Sequence, residues 1–186
     1  KNVSRRAFLT SSAAMAATVS IVPRHVLGGA GYKAPSDTLN IACIGIGGKG
    51  FSDSVKMAGE HVAALCDVDE KRAYQKHKTG VENGKDIHKS IFDYYPRARF
   101  YKDFRELLDK ERSIDAVTVS TPDHTHAVIA MAAIRAGKHV FVQKPLTHTV
   151  YEARQLNRAA AEAGVVTQMG NQGHAGEGQR LICEWI

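Results

Sequence analysis

The sequence predicts an α/β fold, a doubly wound parallel sheet followed by the start of a second α/β domain. Three observations predict it. Runs such as "LNIACIG" (39–45) and "IDAVTVS" (114–120) are apolar along most of their length rather than alternating, the pattern of strands covered on both faces. Segments of helical character separate these runs, so the strands lie parallel and are joined by right-handed crossovers. The first run passes directly into Gly45-Ile46-Gly47-Gly48-Lys49-Gly50, a G-x-G-x-x-G turn between strand and helix, which makes the sheet Rossmann-type.

Residues 1–36 read as an address and a linker rather than as part of the fold. "SRRAFLT" sets Arg5-Arg6 ahead of the small-residue apolar stretch "SSAAMAATVSIV" and Pro23, the layout of a twin-arginine export signal. The alternative is an amphipathic helix with a chance arginine pair. Export implies the twin-arginine machinery as a partner and a periplasmic or otherwise exported location.

Residues 37–170 form the predicted nucleotide-binding domain. The strand at 39–45 leads into a helix that runs through Met57 and stops at Gly59. "HVAALCD" is a second strand and "DEKRAYQKHKTG" a second helix. "VENGKDIHKSIFDYYP" reads as a polar insert before a short strand at 99–101. "DFRELLDKE" begins with Asp103 as N-cap and Glu106 three residues on. "IDAVTVS" is the next strand, and "DHTHAVIAMAAIRAG" a helix capped by Asp123 and stopped by Gly137. "KHVFVQ" is a strand again. Thr149 and Glu152 form a capping box for a helix that turns Val150, Ala153, Leu156 and Ala160 to the core. "VVTQMG" opens a last strand, and residues 171–186 begin the second domain.

With 186 residues, 44% of them hydrophobic and 24% charged, the chain can bury one good core. No run of 18 apolar residues occurs, so a conventional membrane span is not expected. The net charge of +6 comes from scattered basic residues with no nucleic-acid motif beside them, which argues against nucleic acid as a partner. Cys43, Cys66 and Cys183 lack metal-ligand spacing, and no metal site is expected. Cys43 and Cys66 fall in predicted buried strands, where a thiol acts as a small hydrophobe. The chain starts at Lys1 and "RLICEWI" stops inside an apparent helix, so a longer protein is expected.

Ligands of such sheets sit at the carboxyl ends of the strands, and the residues that follow each strand carry the chemistry. After the first strand, Gly45 permits the tight turn, Gly47 lets backbone approach a pyrophosphate, and Gly50 allows close helix–strand packing. With Gly48 and Lys49 the turn ends at a helix N-terminus, whose free N–H groups and partial positive charge suit phosphate. After the second strand comes Asp67. A carboxylate there accepts from ribose hydroxyls and repels a 2′-phosphate, favouring NAD over NADP; alternatively Asp67 or Asp69 caps the next helix. "TPDHTHA" follows the 114–120 run, with Thr121 and Pro122 in the turn. His124 and His126 either flank the cofactor edge or sit at the surface of a capping segment. An H-x-H pair without further ligands does not make a zinc site.

Gln143-Lys144-Pro145 follows "KHVFVQ". Lys144 there either hydrogen-bonds a substrate hydroxyl and stabilises a developing alkoxide, or is an exposed strand-end lysine. In "GNQGHAGEGQR", Asn171, Gln172 and His174 border the nicotinamide or the substrate, unless the glycines simply let the chain leave the domain.

The ordered set "GIGGKG", "CDVD", "TPDHTHA" and "QKPLTHT" resembles the glucose-fructose oxidoreductase / inositol dehydrogenase (Gfo/Idh/MocA) family, from residue 39 to the end. The resemblance implies a C-terminal α/β domain whose open sheet supports homo-oligomers and covers the active site. It also implies oxidation or reduction of sugars, inositols and related polyols with NAD(P); some relatives cleave glycosides through transient oxidation. Position by position it implies Gly45, Gly47 and Gly50 at the pyrophosphate and Asp67 at the adenosine ribose. Thr121, Pro122 and His126 would line the nicotinamide side, with Asn171 near the cofactor and Lys144 catalytic. Gln143 stands where the family usually has glutamate. A second catalytic group belongs to the C-terminal domain, so this chain alone is expected to be inactive. The expected whole is an exported NAD-dependent oxidoreductase of a sugar or polyol. The alternatives are an NAD-dependent glycoside-cleaving enzyme and a non-catalytic dinucleotide-binding protein.

Overall fold

A computed structural model describes residues 33–186, the side chain of Ala175 excepted. The arginine pair and the apolar stretch that suggest export lie outside the described residues. The chain divides into two compact units, Lys1–Thr38 and Leu39–Ile186. The described part of the first holds one 3₁₀ turn, Pro35–Asp37.

In the second unit the chain forms β1 (Asn40–Ile44), α1 (Lys49–Val55), β2 (His61–Cys66), α2 (Glu70–Ala73), β3 (His77–Glu82) and β4 (Lys85–Lys89). It continues through α3 (Ile91–Tyr94), β5 (Arg99–Tyr101), α4 (Phe104–Lys110), β6 (Ala116–Val119), α5 (Asp123–Arg135) and β7 (His139–Gln143). Then come α6 (Val150–Ala163), β8 (Thr167–Gly170), a 3₁₀ turn at Gln172–Ala175, and α7 (Glu177–Trp185). Six strands form one sheet in the order β5-β2-β1-β6-β7-β8, and every ladder in it is parallel. The order reverses between β1 and β6, and at such a switch point the flanking loops part to leave a crevice at the strands' carboxyl ends.

Successive residues of a strand face opposite sides of its sheet. Ala42 and Ile44 of β1 therefore join one buried cluster, with Leu107, Ile134 and Leu156, while Ile41 and Cys43 join another, with Phe51 and Ile91. Covering both faces is what requires the continuous apolar runs of the central strands.

The structure departs from the sequence expectations in particular places. α1 ends at Val55, and Gly59 does not take the left-handed conformation of a helix stop. The expected helix at 69–80 is only Glu70–Ala73. The chain then enters an antiparallel hairpin, in which β3 pairs with β4 across Asn83 (φ 50°) and Gly84 (φ 74°). An Asn-Gly pair accepts positive φ at both central positions, so the supposed polar insert supplies the turn and second arm of a two-stranded ribbon, and then α3. His77 stacks on Phe51 at 4.2 Å between ring centres, anchoring the hairpin to α1.

At α4 the Asp103 side chain accepts from the Arg105 N–H, as an N-cap does, but Glu106 pairs with Lys110 instead of reaching back. Pro122, not Asp123, occupies the N-cap of α5; Asp123 is in the first turn and accepts from the His124 N–H at 2.9 Å. Gly137 (φ 73°) ends that helix as expected. α6 has its capping box, Thr149 with Glu152, and buries Leu156 and Ala160. Val150 is 71% exposed. At about 100° per residue it lies roughly 100° round the helix from the Leu156–Ala160 stripe.

Candidate functional site

At Gly45 and Gly50 the glycine turn after β1 is built by close approaches that admit no side chain. Gly45 has φ +78°, and a Cβ there would lie 2.7 Å from the Ser120 backbone at the end of β6. A Cβ on Gly50 would lie 1.8 Å from the Gly45 carbonyl oxygen, so the first turn of α1 rests directly on the strand end. At Gly47 a Cβ would meet the Arg72 side chain at 3.0 Å.

Asp67, just beyond β2, closes onto this turn. Its Oδ2 accepts from the Ile46 and Gly47 N–H groups at 3.0 and 3.2 Å, and its Oδ1 from the Asp69 N–H at 3.0 Å. Asp69 is the residue that caps α2, accepting from the Arg72 N–H at 3.1 Å. The two readings of the acidic pair are thereby separated: Asp69 caps, and Asp67 ties two strand ends together. A carboxylate has about four acceptor positions, so Asp67 keeps capacity for about one further donor.

A cavity of about 640 Å³ opens at the switch point, walled among others by Gly45, Gly47, Lys49, Asp67, Thr121 and Pro122. These are residues the sequence singled out, and Gly48 lines the cavity with them. His124, for which the sequence left cofactor edge and surface both open, also lines it. So do Arg72 and Lys102, which the sequence reading did not place in a cofactor site. Lys102 is held by Glu70 at 2.6 Å. Cys66 borders the cavity, but burial, with the negative charge of Asp67 second, pushes its thiol up to about 12, so it stays protonated and unreactive. Glycine turn, carboxylate and basic side chains around such a space fit the phosphates and ribose of a dinucleotide. Among the described residues, no group of three or more His, Cys, Asp or Glu could hold a metal ion.

The other expected residues lie outside the cavity wall, among them Gly50, which is buried against the Gly45 carbonyl. His126 is 1% exposed, its Nδ1 2.6 Å from the Pro145 oxygen and its Nε2 2.8 Å from the Thr121 oxygen. It bridges two strand-end turns and does not line the cavity. Two residues on from His124 in the same helix, it points some 200° away, into the core. Gln143 is buried too, and its Nε2 donates to Asp53 at 2.8 Å. Lys144 is exposed at the end of β7, with its N–H donating to Gln143 Oε1 at 3.2 Å. Asn171, Gln172 and His174 are exposed after β8, apart from the cavity.

Asp53 was missed altogether. Only 7% exposed, it accepts from Ser120 Oγ at 3.1 Å as well as from Gln143, and pairs with Lys49. A signal was present: Gly50 must face the sheet to pack on Gly45, and Asp53 is one helical turn further on the same face.

A parallel sheet in this order, with a glycine turn and a facing carboxylate at its switch point, defines a dinucleotide-binding domain of the Rossmann class. Residues 39–171 match the Gfo/Idh/MocA oxidoreductase family, NAD-binding Rossmann fold, and the chain belongs to that family. It is 33% identical to a glycosyl hydrolase family 109 protein of Solibacter usitatus over 70% of this chain and 29% of that protein. It is 35% identical to scyllo-inositol 2-dehydrogenase (NADP(+)) of Bacillus subtilis over 66% of this chain and 31% of that protein. The chain thus spans about a third of the length of the curated relatives it matches. Among solved structures, an NAD binding oxidoreductase from Klebsiella pneumoniae superposes with a TM-score of 0.60 at 28% identity, over 79% of this chain and 39% of that one. The scyllo-inositol dehydrogenase of Lactobacillus casei, solved with NAD(H) and scyllo-inositol, gives 0.65 at 19% identity over 79% and 40%, a likeness of fold.

Proposed function

We propose that the chain is the cofactor-binding part of an exported oxidoreductase that uses NAD on a sugar, inositol or related polyol. The observation that carries this reading is the Asp67 carboxylate in the cavity wall, tied to the amides of the glycine turn. Gly45, Gly47, Gly48, Lys49 and Gly50 would hold the pyrophosphate, and Asp67 the adenosine ribose. Its charge disfavours a 2′-phosphate, hence NAD over NADP. When bound, NAD supplies the ring that accepts or returns a hydride.

The chain's own contribution is Lys144, which donates a hydrogen bond to the substrate oxygen and stabilises the negative charge that develops there as a carbinol becomes a carbonyl. Thr121 and Pro122 shape the adjoining wall, Asn171 approaches the cofactor, and Gln172 and His174 approach the substrate from the β8 end. The arginine pair near the start supports twin-arginine export and a periplasmic location. The family supports a homo-oligomer.

Titration with NAD(H), followed by protein-to-nicotinamide fluorescence transfer, tests the site: saturable binding is expected, tighter than for NADP(H). In the full-length protein, Lys144→Met should lower kcat at least hundredfold and leave NAD affinity within twofold. Unchanged turnover removes Lys144 from the mechanism. A second reading is favoured by the glycosyl hydrolase family 109 relatives: glycoside cleavage with NAD retained. Release of nitrophenol from a nitrophenyl glycoside without added NAD would select it over net oxidation.

A further inference from the structure

One buried carboxylate on α1 joins the ends of two strands. Asp53, on α1, takes a hydrogen bond from Ser120 at the end of β6 and another from Gln143 at the end of β7. It also pairs with the ammonium of Lys49, four residues back at the start of the same helix. Its partners are up to 90 residues away in sequence.

The carboxylate fixes the orientation of the Gln143 amide. Facing an oxygen that only accepts, Gln143 must present Nε2, which turns Oε1 to the Lys144 N–H at 3.2 Å. Gly170 of β8 leaves the amide its place: a Cβ there would lie 3.1 Å from Nε2 and 3.2 Å from Cδ.

We propose that Asp53 is a positioning residue for Lys144, acting through Gln143, and that the same carboxylate ties the Lys144 strand end to the β6 end through Ser120 and holds Lys49 at the start of α1. The inference rests on the proposed role of Lys144 and of the glycine turn. Asp53 touches neither substrate nor cofactor in this scheme. It sets the main chain from which Lys144 projects, and it restrains Lys49 at the mouth of the phosphate site. A carboxylate facing an amide is also reversible: an amide at position 53 facing a carboxylate at position 143 presents the same donor and acceptor. The second oxygen of that exchanged carboxylate still accepts from the Lys144 N–H.

The test compares Asp53→Asn, Gln143→Glu and the double swap. In Asp53→Asn, hydrogen exchange at the Lys144 amide should quicken at least tenfold, with exchange in the β3–β4 hairpin unchanged, and NAD(H) should bind at least fivefold more weakly. The double swap should bring both back to within threefold of the parent. Gln143→Glu alone sets two carboxylates against each other, and repulsion between them should make its melting temperature fall relative to the parent as pH rises from 4 to 7. In the full-length protein, Asp53→Asn should lower kcat more than it raises the KM for substrate, and the double swap should restore kcat.

Unaltered Lys144 exchange in Asp53→Asn, or a double swap no better than that single variant, overturns the proposal. Should Asp53→Asn fail to fold, Gln143→Ala, which leaves Asp53 its Lys49 and Ser120 partners, must still quicken exchange at Lys144; unchanged exchange there overturns it equally. A parent that binds no NAD(H) overturns the dinucleotide reading and this inference with it. A parent that binds NAD(H), with Lys144 indifferent to position 53, overturns the inference alone.

Discussion

Gly50 and Asp67 carry the most local consequences. A methyl group at position 50 would lie 1.8 Å from a backbone oxygen, which cannot rotate away as a flexible side chain can. Gly50→Ala should therefore destabilise the domain by about 1–3 kcal/mol or more in urea unfolding and abolish NAD(H) binding. Asp67→Ala removes an acceptor from two amides of the turn. A hydrogen bond to a charged group is worth about 1.5–3 kcal/mol, so NAD affinity should fall at least tenfold by titration, with a narrower preference over NADP. Thiol chemistry is equally local. Cys43 and Cys66 are buried with thiols raised by desolvation, while Cys183 is exposed, so a disulfide reagent should titrate one thiol of three in the native protein. The places of the glycines and of Asp67 in the cavity turn were legible because each follows from a residue type in a strand-end setting. Asp53 was not, because an aspartate in a short helix looks like a solvated residue until Gly50 is seen to turn that face inward.

Caps and turns decide matters one level up. Thr149 and Glu152 form the capping box that the S/T-x-x-E spacing announces, and Thr149→Ala should cost about 1 kcal/mol in thermal unfolding. Asp93 and Asp103 hold their carboxyls below the usual carboxylate range, chiefly through hydrogen bonds from Ser90 and Arg105 respectively. Their stabilisation is present above the ordinary carboxylate range and is lost as pH falls through and below it. Melting temperature should thus drop between pH 5 and pH 2.5, and less steeply in the Asp93→Asn, Asp103→Asn double variant. The β3–β4 hairpin shows where local reading fell short. "DEKRAYQKHKTG" has helical composition, but Asn83-Gly84 sets up pairing with Lys85–Lys89, and pairing with the stack on Phe51 outweighs a weak propensity. His126 was misplaced for a different reason. Its type suggested chemistry, and the phase of α5 sends it into the core, between two carbonyl oxygens.

Across the whole molecule, stability and ligand are coupled by mass action. If the switch-point cavity binds NAD only in the folded state, NAD at a hundred times its Kd should stabilise the chain by about 2.7 kcal/mol, read as a rise in melting temperature that NADP at the same concentration does not match. The parallel sheet, its strands and its glycine turn could be read from one dimension, because a strand covered on both faces must be apolar throughout and a turn with positive φ calls for glycine. The identity of the cavity wall was half legible for the same reason, since whatever follows a strand in such a sheet lies at its carboxyl edge. The strand order that puts β1 beside β6, the rotation that hides His126, and the meeting of Asp53 with Gln143 depend on contacts between residues far apart in the chain. Local composition carries no record of such contacts; they exist once packing has chosen which face of each element turns inward.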